Sequence, residues 1–69
     1  MKELNIGDKI KVKNWMNNYI VEIVRVTKTQ AIAKTPYNNE IKFKRSYSHS
    51  DYITKLPREK WNTTDYILL

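Results

Sequence analysis

Residues 9–13 read KIKVK, a strict alternation of lysine with β-branched apolar residues. A period of two is typical of a strand with one buried face, so we expect Ile10 and Val12 to point inward and the lysines outward. The segment EIKFKR at 40–45 repeats the pattern, with Ile41 and Phe43 predicted to point inward. A helix fits the first segment poorly, because charges at every second position would surround it.

The longest β-rich run, YIVEIVRVT at 19–27, has an ambiguous phase. Its apolar residues fall on both faces of an extended chain, so a regular strand would expose some of them. A bulge or strong bend near Ile23-Val24 would bring Val21, Ile23 and Val26 into one core. Bent strands of this kind are how small barrels turn their corners.

The segment QAIAKT at 30–35 predicts a shorter strand. Its isoleucine, Ile32, is expected to point inward, which leaves Ala31 and Ala33 on a flat opposite face. Turns are predicted between the strands from clusters of Gly, Asn, Pro and polar residues. They lie at Gly7-Asp8, Asn14–Asn18, Lys28-Thr29 and Pro36–Asn39.

The C-terminal third is less regular. Tyr52–Leu56 predicts a short strand, and Pro57–Trp61 predicts a single helical turn, since proline is favoured at the first helical position. The apolar end, Tyr66–Leu69, is either a strand that closes the barrel or a tail that contacts a partner. Aromatic residues with apolar neighbours are expected in the core, namely Tyr19, Phe43 and Trp61.

A chain of 69 residues accommodates one domain, here predicted to span residues 1–69. It contains no cysteine, so neither a disulfide framework nor a thiolate zinc site is available. Short strands about ten residues apart predict an all-β fold, a small antiparallel barrel or roll of about five strands. A two-sheet sandwich of immunoglobulin size would need a longer chain.

The opening strand, Gly7-Asp8-Lys9-Ile10-Lys11-Val12, resembles the G-D-x-V-x-V strand of SH3-like barrels of the KOW and Tudor type. The run VRVTKTQAI at 24–32 and the later basic-Phe-basic strand resemble small uncharacterised phage and prophage proteins. The resemblance covers roughly residues 6–47. It implies an SH3-like roll without enzyme activity. KOW motifs carry glycines between their first two strands, whereas asparagines stand at 14–18 here.

The charge of the chain is concentrated in its strand-rich part. Thirteen Lys and Arg against seven Asp and Glu give a net charge of +6. Residues 9–45 hold nine of these cationic residues and only two acidic ones, so this segment carries +7. A basic domain of this size attracts polyanions, and nucleic acid is the commonest of them.

Nucleic acid, whether DNA or RNA, is therefore the predicted partner. Lysines on strands contact phosphates without reading bases, so binding would be largely independent of sequence and sensitive to salt. Aromatic residues in loops would stack on unpaired bases. The predicted interface comprises Lys9, Lys11, Lys13, Lys28, Lys42, Lys44 and Arg45 together with the loop aromatics Trp15, Tyr37 and Tyr47. It depends on the two lysine-bearing strands lying in adjacent parts of the barrel.

The same residues also permit other interpretations. The lysines suit a solvated sheet face that opposes edge-to-edge aggregation, and Trp15 suits a lid over the open end of the barrel. The alternative function is a protein-binding module, such as a phage-encoded inhibitor or adaptor that acts on a host or defence protein. Its predicted contacts are Trp15, Met16, Tyr66 and Leu68. Both a monomer and a homodimer fit the sequence.

The chain lacks the usual signatures of catalysis. Ser48-His49-Ser50-Asp51 holds the residue types of a hydrolase triad, but neighbours in one short loop cannot adopt the triad geometry. His49 is the only histidine, so a metal site is not expected, and a single glycine excludes a Gly-rich phosphate loop. We therefore expect no enzyme activity, metal or cofactor. Without a signal peptide or an apolar run of about 20 residues, we expect a cytoplasmic protein, in the host cell if phage-encoded, that does not enter membranes.

Overall fold

The computed structural model of the chain describes residues 2–48, 52–58 and 63–69, and all regular structure in them is β. The strands, in chain order, are β1 (Lys2–Glu3), β2 (Lys9–Lys13), β3 (Asn18–Val26), β4 (Gln30–Lys34), β5 (Glu40–Lys44), β6 (Ser46–Tyr47), β7 (Lys55–Leu56) and β8 (Asp65–Leu68). These residues include no helix, and hence none that could span a membrane.

Six strands form one antiparallel sheet in the order β7-β5-β4-β3-β2-β8, and β1 pairs with β6 in a separate two-stranded ribbon. The sheet curls into a half-barrel, which confirms the predicted all-β barrel or roll. The described residues contain more strands than the five predicted, in part because β1 and β6 are two-residue strands too short to produce an alternating pattern.

The segment 52–56 connects the two edges of the curled sheet. The Ile53 N–H donates to the Tyr66 carbonyl of β8 at 2.7 Å, and Tyr52 forms a bridge with Ile67 of the same strand. Further along, β7 pairs with β5, and the Lys44 N–H donates to the Thr54 carbonyl at 2.9 Å. The predicted strand at 52–56 is therefore real in part, but its residues divide their hydrogen bonds between two partners.

The core lies inside the curled sheet and follows the predicted alternation. Ile10, Val12 and Phe43 are fully or almost fully buried, as the KIKVK and EIKFK patterns predicted. The register between β3 and β4 shifts between Ile23 and Arg25, which confirms the predicted bulge. Val26 consequently packs against the same core as Ile23.

The predicted orientation of β4 is wrong. Ala31 and Ala33 are fully buried in the core cluster, where Ala31 lies opposite Phe43 in register. Ile32 lies on the outer face between Arg25 and Lys42, yet it is only 2% exposed. The physical reason is volume: the interior holds a phenylalanine ring at this level, and a methyl group is what fits opposite it.

Two connections between strands of the described residues contain a residue with positive φ. Gly7, at φ 95°, occupies the third position of the turn in which the Asp8 N–H donates to the Asn5 carbonyl. Asn38, at φ 66°, lies in the connection between β4 and β5. Asparagine tolerates this left-handed conformation better than most residues. Both positions lie in turns predicted from the sequence or directly beside them.

Some sequence predictions fall outside the described residues. They concern Trp61 in the core, His49 and its neighbours Ser50 and Asp51, and the last three residues of the helical turn predicted at Pro57–Trp61. The apolar C-terminal segment is described, and it forms a closing strand: β8 pairs with β2 over four residue pairs and buries Tyr66.

Candidate functional site

Strand β2 carries a ladder of three lysines on the outer face of the sheet. Lys9, Lys11 and Lys13 alternate with the buried Ile10 and Val12, so all three point away from the core. Successive lysines lie about 7 Å apart, because two residues of an antiparallel strand rise by that distance. We call this set the β2 lysine ladder.

The lysines of β5 lie on the same outer face but not beside the ladder. Strands β3 and β4 separate β5 from β2, which places the Lys42 and Lys44 positions roughly 14 Å from the ladder. The sequence prediction required adjacent strands, and this requirement is not met. Topology is the reason, since the three consecutive hairpins from β2 to β5 place β3 and β4 between the lysine-bearing strands.

Acidic residues also interrupt the outer face. One row across the sheet reads Glu40, Lys34, Glu22 and Lys9, with opposite charges directly paired in register. The outer face as a whole nevertheless presents more cationic than acidic side chains. The cations are Lys9, Lys11, Lys13, Arg25, Lys34, Lys42 and Lys44, and the acids are Glu22, Glu40 and Asp65.

The amines of the β2 lysine ladder have no direct ionic partner in the described part of the chain. On the outer face, the ion pair within 4.0 Å joins Arg25 to Glu40 at 3.9 Å, and neither group is buried. Glu22 and Asp65 face the ladder in register, but they form no such pair with its lysines in residues 2–48, 52–58 and 63–69. The ladder amines are therefore available to an external anion.

The hairpin between β2 and β3 presents Trp15 and Met16 to solvent. The Asn14 side-chain oxygen accepts hydrogen bonds from the N–H groups of Met16 at 2.9 Å and Asn17 at 2.6 Å, which fixes the turn. Trp15 is 84% exposed and Met16 is 69% exposed. Trp15 therefore does not act as a lid on the barrel, and its indole is available for an external contact.

The other predicted stacking residues differ in position. Tyr37 is exposed in the β4–β5 connection, where its ring meets the half-buried Tyr19 edge-on with centroids 5.6 Å apart. Tyr47 was predicted in a loop, but it belongs to β6, pairs with Lys2 and packs against the core. Tyr47 is therefore a structural residue, whereas Tyr37 is accessible.

Arg45 has a structural role that the sequence did not reveal. Its guanidinium donates to the Leu4 carbonyl at 3.1 Å and to the Thr27 carbonyl at 2.8 Å, and its side chain is only 21% exposed. Its Nε also lies 3.6 Å from a Glu3 carboxylate oxygen. These contacts join the N-terminal segment to the β3–β4 turn, so we remove Arg45 from the candidate interface.

The remaining predicted contacts divide between the surface and the core. Lys28 is exposed in the β3–β4 turn, at the opposite end of the barrel from Trp15. Tyr66 is 8% exposed and meets Phe43 edge-on at 5.3 Å, while Leu68 packs against the core. Burial leaves Tyr66 and Leu68 unsuited to partner contact, because their side chains complete the core that β8 closes.

The sequence did not predict that apolar residues flank the ladder residue Lys11 on both sides across the outer face. Ile20, Lys11, Ile67 and Tyr52 are successive neighbours across β3, β2, β8 and the residue bridged to β8. Ile20 is 52% exposed and Tyr52 is 59% exposed. The sequence feature that could have indicated these exposed apolar residues is the pattern of residues 19–27, which has apolar residues on both faces of the strand. Ile20 lies on the face opposite to that of the core-facing Val21.

The described residues show no cluster of histidine and carboxylate side chains able to hold a metal ion. Comparisons with protein-family models, with curated proteins and with solved structures found no match. The resemblance to SH3-like barrels and to phage proteins therefore stays a prediction, and the functional argument depends on the chemistry of this surface.

Proposed function

We propose that this protein is a non-catalytic binding module that contacts nucleic acid through the β2 lysine ladder and Trp15. The observation that carries the proposal is a run of three lysine amines, without ion-pair partners among the described residues, on the hairpin that exposes Trp15. Amines spaced along a strand suit the repeated phosphates of a polyanion. They neutralise backbone charge and do not read bases, so binding is largely independent of sequence.

The exposed indole favours single strands over duplex. An aromatic side chain gains stacking energy from a base whose face is accessible, and bases inside a duplex are already stacked on each other. The test is a titration with labelled single-stranded and duplex DNA and RNA at two salt concentrations. We expect binding at low salt that weakens as salt rises. Absence of binding at low salt, or an affinity that does not change with salt, contradicts the proposal.

Replacement of Trp15 by alanine should weaken single-strand binding about tenfold, since stacking of one base contributes about 1–3 kcal/mol. Thermal stability should stay unchanged, because the wild-type side chain is 84% exposed. The affinities of both proteins are measured by anisotropy of a labelled oligonucleotide, and quenching of tryptophan fluorescence should be smaller in the variant, which retains Trp61. Met16→Ala is the matched control at the same turn. Equal affinity of Trp15→Ala and wild type would rule out stacking at this position.

A second candidate function is supported by the exposed side chains of Ile20 and Tyr52, which lie on the same outer face with Lys11 and the half-buried Ile67 between them. Exposed apolar surface on one face commonly marks a protein interface. In this alternative the domain is an inhibitor or adaptor, for example one encoded by a phage and acting on a host or defence protein in the cytoplasm. The two functions share Trp15 but differ in their dependence on Ile20.

Substitution of Ile20 by threonine separates the two candidates. Threonine keeps the β-branched shape that suits the strand and removes apolar surface. If nucleic acid is the partner, the variant should bind oligonucleotides within twofold of wild type. If a protein is the partner, a pull-down from nuclease-treated host lysate should recover a specific protein with wild type and less of it with Ile20→Thr. If a protein is recovered only from lysate that was not treated with nuclease, nucleic acid mediates the contact, which supports the nucleic-acid function.

A further inference from the structure

A cleft lies at the end of the barrel remote from Trp15, next to the β3–β4 turn. Its volume is about 390 Å³, and Lys28, Lys44, Thr29, Ser46, Glu3 and Leu56 are among the residues that line it. This volume falls within the range of roughly 300–1,000 Å³ that is typical of small-ligand sites.

The charge of this cleft is positive despite its carboxylate. Glu3 lies 3.6 Å from the Arg45 guanidinium, which offsets its charge. Lys28 and Lys44 form no ion pair with a carboxylate of the described segments. The cleft therefore presents two uncompensated ammonium groups beside the hydroxyl groups of Thr29 and Ser46. These donors suit a phosphate group.

Main-chain hydrogen bonds hold the walls of the cleft in place. The Arg45 N–H, between Lys44 and Ser46, donates to the Thr29 carbonyl at 3.0 Å. The turn that carries Lys28 and Thr29 is closed by the Thr27 N–H donating to the Gln30 carbonyl at 2.8 Å. The two lysines thus project from backbone segments that are tied to each other, and binding an anion would require little reorganisation of the main chain.

We propose that this cleft binds the phosphorylated end of a nucleic-acid strand, with the terminal phosphomonoester between Lys28 and Lys44 and the terminal nucleoside against Leu56. A phosphomonoester carries close to two negative charges at neutral pH, whereas an internal phosphodiester carries one. Two ammonium groups in one cleft therefore match the charge of a terminal phosphomonoester better than that of an internal phosphodiester. The identity of the ligand rests on the proposed nucleic-acid function, but the cleft is separate from the β2 lysine ladder.

The test compares one oligonucleotide sequence in three forms: 5′-phosphorylated, 3′-phosphorylated and without a terminal phosphate. At 0.1 M salt, one phosphorylated form should bind about tenfold more tightly than the unphosphorylated strand, the order expected for one or two added lysine–phosphate contacts. The double variant Lys28→Gln/Lys44→Gln should lose this preference and retain most of its affinity for the unphosphorylated strand. Lys2→Gln/Lys42→Gln is the control with equal charge loss, and it should keep the preference.

The outcomes distinguish this inference from the proposed function. Salt-dependent binding with no effect of a terminal phosphate overturns the cleft assignment and leaves the proposed function intact. A preference that survives in Lys28→Gln/Lys44→Gln also overturns the assignment. Binding of a mononucleotide that shifts the amide NMR signals of Thr29 and Ser46, together with no affinity for unphosphorylated strands, supports the cleft and contradicts binding through the ladder.

Discussion

Replacement of Lys9, Lys11 and Lys13 by glutamine should weaken binding of single-stranded DNA roughly 100-fold at 0.1 M salt. Each lysine that neutralises a phosphate contributes about 0.7 to the slope of log K against log salt for a single strand, so loss of three contacts lowers the slope by about 2. The measurement is fluorescence anisotropy at four salt concentrations. The fold should survive, because the buried faces of Ile10 and Val12 are unchanged.

A matched variant separates the ladder from net charge alone. Lys2→Gln/Lys34→Gln/Arg58→Gln removes the same charge from positions outside β2, one of which, Lys34, is flanked in register by Glu22 and Glu40. We expect this variant to lose much less affinity and to keep most of the wild-type slope. If both triple variants lose the same affinity, the attraction is a property of overall charge and the ladder is not the binding site.

Arg45→Gln should lower the free energy of unfolding by about 3 kcal/mol. The guanidinium donates to two main-chain carbonyls. A hydrogen bond to a charged group contributes about 1.5–3 kcal/mol, and its removal leaves the carbonyl oxygen without that donor. For a domain of this size, we expect the melting temperature to fall by roughly 10–20 °C. Thermal unfolding followed by circular dichroism measures the effect.

Two further variants test whether geometry or charge is responsible. Lys44→Gln removes a charge from the neighbouring exposed position and should leave the melting temperature within a few degrees of wild type. Arg45→Lys keeps the charge, but a single ammonium cannot reach both the Leu4 and Thr27 carbonyls in the way that a guanidinium does. The melting temperature of Arg45→Lys should therefore lie between those of wild type and Arg45→Gln. A fully stable Arg45→Lys would show that the fork geometry is unimportant.

The parts of the fold that could be predicted are those that local alternation controls. Residues 9–13 and 40–44 have one apolar face each, and a register slip by one residue would bury their lysines. The bulge in β3 could be predicted for the same reason, because only an inserted residue brings Ile23 and Val26 to one side. These inferences need no knowledge of the neighbouring strands.

The errors share one cause, which is that the deciding partner lies far away in the chain. Ile32 was assigned to the core by its hydrophobicity, but Phe43 already fills that level of the interior, so the small alanines face inward. Arg45 looked like a surface cation because the carbonyls that bind it are 41 and 18 positions away in sequence. Composition carries no information about which acceptors the fold brings to one side chain.

The candidate site was predictable as a list of side chains but not as a surface. That Lys9, Lys11 and Lys13 face solvent on one strand follows from the sequence alone, since a strand places every second residue on the same face. Their distance from Lys42 and Lys44 was decided by the tertiary structure, through the order in which successive hairpins stack. Strand order depends on long-range pairing and core volume, and neither can be read from a local pattern of charges and apolar residues.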